Sequence, residues 1–152
     1  MRTGRVLTIA MFTLVVFAST AASRGHRYSP IGTWELDVDV EGFPPIFATV
    51  AYTASGTLTS VDSGPPPGQT MTAAVGAWKR TGKRSFAWTF QRYHFDLDGN
   101  FLFTFRLTGH AVINARGNEY KDSSVGQLIF PNGDVIDVPG GTAHAKRLIA
   151  EH

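Results

Sequence analysis

Apolar and polar residues alternate one for one along most of this chain, the period of a strand with one buried face. Residues 33–41 set Trp34, Leu36, Val38 and Val40 against Glu35, Asp37, Asp39 and Glu41. Gly42-Phe43-Pro44-Pro45 breaks that strand, because proline cannot continue a ladder. Residues 46–54 and 57–61 read as the next two strands, turning at Ser55-Gly56. Residues 62–71, DSGPPPGQTM, cannot form a central strand and read as a flap or rim. Residues 73–80 make the fourth strand. After a long hairpin at 84–113, strands follow at 119–130, from Val135 to the Gly140-Gly141 break, and at 142–149. No stretch has helical periodicity long enough for a docked helix.

The hairpin, RSFAWTFQRYHFDLDGNFLFTFRLTGHAVI, is the densest aromatic stretch. Asp98-Gly99 between alternating runs predicts a two-residue type I′ turn, and a four-residue loop gives the same pairing. That register pairs Asp96 with Phe101, His94 with Phe103, Arg92 with Phe105, Phe90 with Leu107 and Trp88 with Gly109. One face then carries Phe86, Trp88, Phe90, Phe101, Phe103, Phe105 and Leu107, and gives way to Arg92, His94 and Asp96 toward the turn. At Gly82 a three-residue loop is favoured, since it puts Gly76 and Trp78 in phase with Phe86 and Trp88 and so buries a tryptophan. The turn at Gly117 puts Leu128 and Phe130 on the face of Phe105 and Leu107. Asn132-Gly133 predicts a second two-residue turn, pairing Phe130 with Val135 and Leu128 with Asp137, which turns Asp137 inward.

Eight or nine strands joined in succession by tight turns make an all-β, antiparallel up-and-down meander. A meander with one aromatic inner face avoids open edges by closing into a barrel. A sandwich would need long crossing connections, and the chain has none of the required kind.

The first 22 residues stand apart. Arg2 and Arg5 precede an apolar run from Val6 to Ala18, followed by small residues at Thr20-Ala21-Ala22. This predicts a secretory signal peptide cleaved near Ala22, leaving a single domain over 23–152 in the periplasm or outside the cell. The chain has 14 Lys+Arg and 12 Asp+Glu. Removing Arg2 and Arg5 leaves 12 against 12, and a neutral domain does not suit nucleic acid or an anionic membrane as partner. Without cysteine, the domain holds together by packing alone.

Candidate chemistry is sparse. Asp96-Leu97-Asp98-Gly99-Asn100 has its glycine too early, and no later acid, for a calcium loop. The five histidines lack zinc spacing. There is no nucleophile elbow, phosphate loop or dinucleotide fingerprint, so no cofactor or metal is expected. The site expected is Arg92, His94 and Asp96 with Asp137 facing them inside the barrel, walled by Trp88, Phe90, Phe103, Phe105 and Leu128. An apolar cavity with a few convergent polar groups is the usual small-molecule site. Arg92 would clamp an acidic head. The competing expectation is that Arg92 and Asp137 merely neutralise each other.

Ile31-Gly32-Thr33-Trp34-Glu35 resembles the Gly-x-Trp signature of lipocalins and the wider calycin group. The resemblance implies a barrel whose base is closed by the Trp, with an Arg or Lys of the last strand packed across it; Arg147 or Lys146 stands in that place. The family's Thr-Asp-Tyr turn, cysteine pair and C-terminal helix are absent, which suits a compact bacterial lipocalin-like domain rather than a transport lipocalin. Avidin also begins Gly-Thr-Trp, but Glu35-Leu36 does not match its polar ligand-binding start. The expected function is binding of a small hydrophobic ligand with an acidic head. The alternatives are a cofactor-free isomerase or cyclase on a barrel similar to allene oxide cyclase, with His94, Arg92 and Asp137 as acid/base groups, and a solid-core interaction protein.

Overall fold

The computed structural model describes residues 28–150; the expected signal peptide lies outside them. The described chain is all β: β1 (Gly32–Asp39), β2 (Ile46–Tyr52), β3 (Thr57–Asp62), β4 (Gln69–Met71), β5 (Ala74–Arg80), β6 (Ser85–Asp96), β7 (Phe101–Ile113), β8 (Glu119–Ile129), β9 (Val135–Val138) and β10 (Thr142–Arg147). Every pairing is antiparallel, and β10 pairs with both β1 and β8. That double pairing closes eight strands, β1-β2-β3-β5-β6-β7-β8-β10, into a barrel. The two short strands lie outside the circuit. β4 pairs with the last residues of β6, and β9 pairs with the last residues of β8. The wall from β6 to β8 therefore stands taller than the opposite wall of β1 to β3.

One end is sealed. Trp34, Tyr52, Leu58, Phe86, Ile113 and Tyr120 are all buried there, with Tyr120 edge-on to Trp34 at 4.8 Å and to Phe86 at 5.4 Å. The chain ahead of β1 crosses beneath them. The Trp34 indole donates to Pro30 O at 2.7 Å. Arg147 lies over the Trp34 ring at 4.1 Å and donates to Ile31 O at 2.6 Å, Ser29 O at 2.7 Å and Gly117 O at 3.1 Å. Gly32 has φ +121°, and a Cβ there would sit 2.9 Å from the Arg147 guanidinium. The glycine is thus required twice, for its backbone angle and for the space the arginine fills. Of the two basic residues expected in this place, Arg147 takes it; Lys146 points outward beside Glu35.

Most of the expected register holds. Trp88 pairs with Gly109, Phe90 with Leu107, Arg92 with Phe105 and His94 with Phe103. Trp78 pairs with Trp88 across a three-residue loop at Gly82, and Phe105 pairs with Leu128. Gly109 is where the Trp88 ring lies, since a Cβ there would meet the indole at 2.4 Å.

Two turns differ from expectation. No non-glycine among the described residues has positive φ, so neither Asp98-Gly99 nor Asn132-Gly133 forms a type I′ turn, which needs two such residues. Both are three-residue loops ending on a glycine, Gly99 at φ +85° and Gly133 at φ +90°. The loops close through Asp96 N to Asn100 O and Phe130 N to Asp134 O. In the first hairpin a bulge after His94 absorbs the extra residue, so Phe95 rather than Asp96 faces Phe101 and the deeper register survives. No bulge compensates the second. Leu128 pairs with Ile136, and Asp137 pairs with Gln127. A slip of one residue exchanges the two faces of a strand.

Removing the base plate isolates its contribution. Arg147→Ala should lower unfolding stability by about 2–4 kcal/mol, from charged hydrogen bonds lost to buried carbonyls, and Arg147→Lys should recover less than half of it, for want of the planar fork. Urea unfolding of the three proteins checks this.

Candidate functional site

The interior divides at the level of Trp88. Below it the packing is dense. Above it the side chains that alternation turns inward are only half-buried: Leu36 and Val38 on β1, Ile46 and Ala48 on β2, Phe103, Phe105 and Leu107 on β7, and Leu128 on β8. Inward-facing apolar groups stay accessible to water only where nothing fills the space between them. The upper half is therefore an open funnel with apolar walls, continued on the tall wall by Phe130 and Ile136.

Arg92 is 8% exposed on that tall wall. Its guanidinium donates to Asp62 Oδ2 and, at 3.1 Å, to Met71 Sδ. Phe90 and Phe105 flank it at 5.4 and 5.7 Å. Asp62 projects inward from the end of β3, so the pair ties β3 to β6 across β5. The acid opposing Arg92 is thus Asp62, not Asp137. Asp137 is exposed on the outer face and accepts a 2.9 Å hydrogen bond from Gln127. The expected set of Arg92, His94 and Asp137 is not brought together.

His94 is buried beside Arg92, stacked on Phe103 at 4.6 Å. Burial, and then the Arg92 charge, hold its pKa below the ordinary histidine value. The ring is neutral near pH 7, and its Nδ1–H donates to Gln69 Oε1 at 3.0 Å. Gln69 comes from β4, so the expected rim residues 62–71 end in a strand that fixes the histidine. Asp96 is spent on the turn: its carboxylate accepts from Asn100 N and Nδ2, both at 2.8 Å, and those bonds hold its pKa low.

At the funnel floor lies a group that residue-by-residue reading of the sequence passed over. Asp122 is 8% exposed on the inner face of β8. Burial pushes its pKa up to about 7, against a partial offset from the Ala143 amide and the Trp88 indole. The indole N–H is near enough to the carboxylate to lower its pKa, yet it is buried without a hydrogen bond of good geometry. A cavity of about 20 Å³ separates Asp122, Trp88, Ser60, Tyr52, Leu36, Val50, Leu58 and Phe90. Just beneath, Tyr52 and Tyr120 share a 3.3 Å hydroxyl–hydroxyl hydrogen bond, and burial keeps both phenols protonated well above the ordinary range. The signal was present in the register: the Gly117 turn that sends Leu128 inward sends Asp122 inward too.

A larger open depression, about 430 Å³, lies along β1, β2 and the end of β3, where outward residues such as Glu35, Phe47, Val61 and Lys146 line it together with Leu36, Ala48 and Asp62. Among the described residues no cluster of His, Asp or Glu is placed to hold a metal ion. Comparison of the chain with protein-family models, with curated proteins and with solved structures finds no match.

Two outcomes follow from these charges. Asp62→Ala should cost about 3–5 kcal/mol, because it leaves Arg92 charged in an apolar wall. The double change Asp62→Leu with Arg92→Met should cost far less, as read by thermal and urea unfolding. For Asp122, an unfolded aspartate ionises near pH 4, whereas the folded group holds its proton to about 7. Between those values the folded state binds the extra proton. Stability should therefore fall as pH rises from 4 to 7 and level off above, by at most about 4 kcal/mol. Asp122→Asn should remove that fall, with urea unfolding at pH 5 and pH 8 as the measurement.

Proposed function

We propose that this is a small lipocalin-like binding protein, exported by its N-terminal segment, that takes a small apolar molecule into the funnel. The observation that supports this is the set of inward-facing yet water-accessible residues Leu36, Val38, Ala48, Phe105, Leu107 and Leu128. Apolar walls left open to water gain from burial, at roughly 25 cal/mol for each Å² covered. The lipocalin likeness rests on the Gly32-x-Trp34 start and on Arg147 across Trp34. That is a likeness of base-plate chemistry and of a closed antiparallel barrel.

The geometry changes the ligand expected. Arg92 is already neutralised by Asp62, and a carboxylate placed against it would displace a buried acid. An acidic head is therefore disfavoured, and the ligand best suited to the funnel is uncharged. It would lie on Phe105, Leu107 and Leu128 with Phe90 and Trp88 below, above the packed aromatic base. The isomerase reading loses its acid/base set, since Asp137 faces solvent on the other side of β9.

The experiment is uptake of the neutral fluorophore N-phenyl-1-naphthylamine. Its emission should rise on binding with a micromolar Kd. Ala48→Phe, which fills the funnel from the short wall, should weaken binding at least tenfold while far-UV circular dichroism is unchanged. No uptake by the wild-type protein would contradict the proposal.

A further inference from the structure

We propose that the floor of the funnel is a hydroxyl-binding site, in which Trp88 Nε1–H donates to, and the Asp122 carboxylate accepts from, a single hydroxyl oxygen. Water occupies the site in the free protein, and the terminal hydroxyl of an apolar alcohol occupies it in the complex. This inference rests on the reading of the funnel as a ligand site and adds the chemistry of the ligand's polar end.

Three features carry it. Trp88 is 6% exposed, and its Nε1 is buried with no hydrogen-bond partner. A buried donor without a bond of good geometry forgoes part of the stabilisation a hydrogen bond gives, so a guest that accepts from it recovers that part. Asp122 and Ser60, 8% and 7% exposed, line the same cavity as Trp88. The space there, about 20 Å³, suits one oxygen atom with its hydrogens, since a polar cavity above roughly 10–15 Å³ holds one water.

The pairing of donor and acceptor selects the head group. With Asp122 ionised, as it is about one unit or more above its pKa of about 7, a carboxylate accepts from the indole but meets the Asp122 carboxylate with nothing to donate. An ammonium donates to Asp122 but offers the indole no lone pair. An ether accepts and cannot donate. A hydroxyl does both at one atom. Sites that hydrogen-bond a substrate hydroxyl reject analogues lacking it much more strongly than apolar pockets reject a missing methylene. The walls above, Leu36, Phe90 and Leu107, set no comparable demand on the apolar body, so selectivity concentrates at the floor.

The test, run at about pH 8.5 where Asp122 is ionised, is displacement of bound N-phenyl-1-naphthylamine by two near-isosteres, 1-octanol and 1-methoxyheptane. The wild-type protein should be half-displaced by the alcohol at a concentration at least tenfold below that of the ether. In Trp88→Phe and in Asp122→Leu, each checked by circular dichroism, that preference should shrink to less than about threefold. Equal displacement by alcohol and ether in the wild type would overturn the hydroxyl site while leaving the funnel intact, and that comparison needs no variant. A preference that survives both substitutions would overturn it as well. Failure of the fluorophore to bind would remove the funnel reading and this inference with it.

Discussion

Arg147 laid across Trp34 is the interaction on which the other features depend. An eight-stranded barrel must join its first and last strands, and here β10 does so by pairing with β1 on one side and β8 on the other. The pairing alone leaves the lower opening exposed. The guanidinium closes it by binding three backbone carbonyls from two separate stretches of chain while covering an indole face. Each bond satisfies a carbonyl at the barrel base, which would otherwise carry a desolvation cost. With that end shut, the large aromatics crowd below Trp88, while the inward side chains of the upper half stay only half-buried.

The same asymmetry explains the placement of charge. The tall wall made by β6, β7 and β8 extends beyond the circuit and would present bare edges. β4 and β9 cover those edges, and β4 supplies Met71 and Gln69 to Arg92 and His94. Arg92 and Asp62 are therefore best understood as a strut between β3 and β6 that costs desolvation and returns fixed geometry. Asp122 differs. It has no cationic partner, its pKa sits near neutrality through burial, and it faces both a cavity and an unpartnered indole.

The meander, its closure and the inner aromatic face were legible from alternation, because each hairpin constrained the next. What alternation could not supply was the loop length at Asp98-Gly99 and Asn132-Gly133. Both dipeptides suit a two-residue turn, yet both close as three-residue loops with only the glycine at positive φ. At the first, the bulge beside His94 preserved the deeper register, so Arg92 and His94 were placed correctly. At the second, nothing compensated, and Asp137 turned outward. Asp62 opens a Pro- and Gly-rich stretch that reads as loop, so alternation does not show that it faces inward. Asp122 was reachable from the Gly117 turn, but alone among Glu119, Lys121 and Ser123 it gives no local sign of burial; only the closed barrel does that.

The central claim is that apolar guests enter the open half and stop above the aromatic base. Intermolecular nuclear Overhauser effects between bound N-phenyl-1-naphthylamine and side-chain methyl groups measure this directly. The account predicts contacts to Leu36, Ala48, Leu107 and Leu128. Contacts confined to Val61, Val75 and Val125, with none to Leu107 or Leu128, would contradict it.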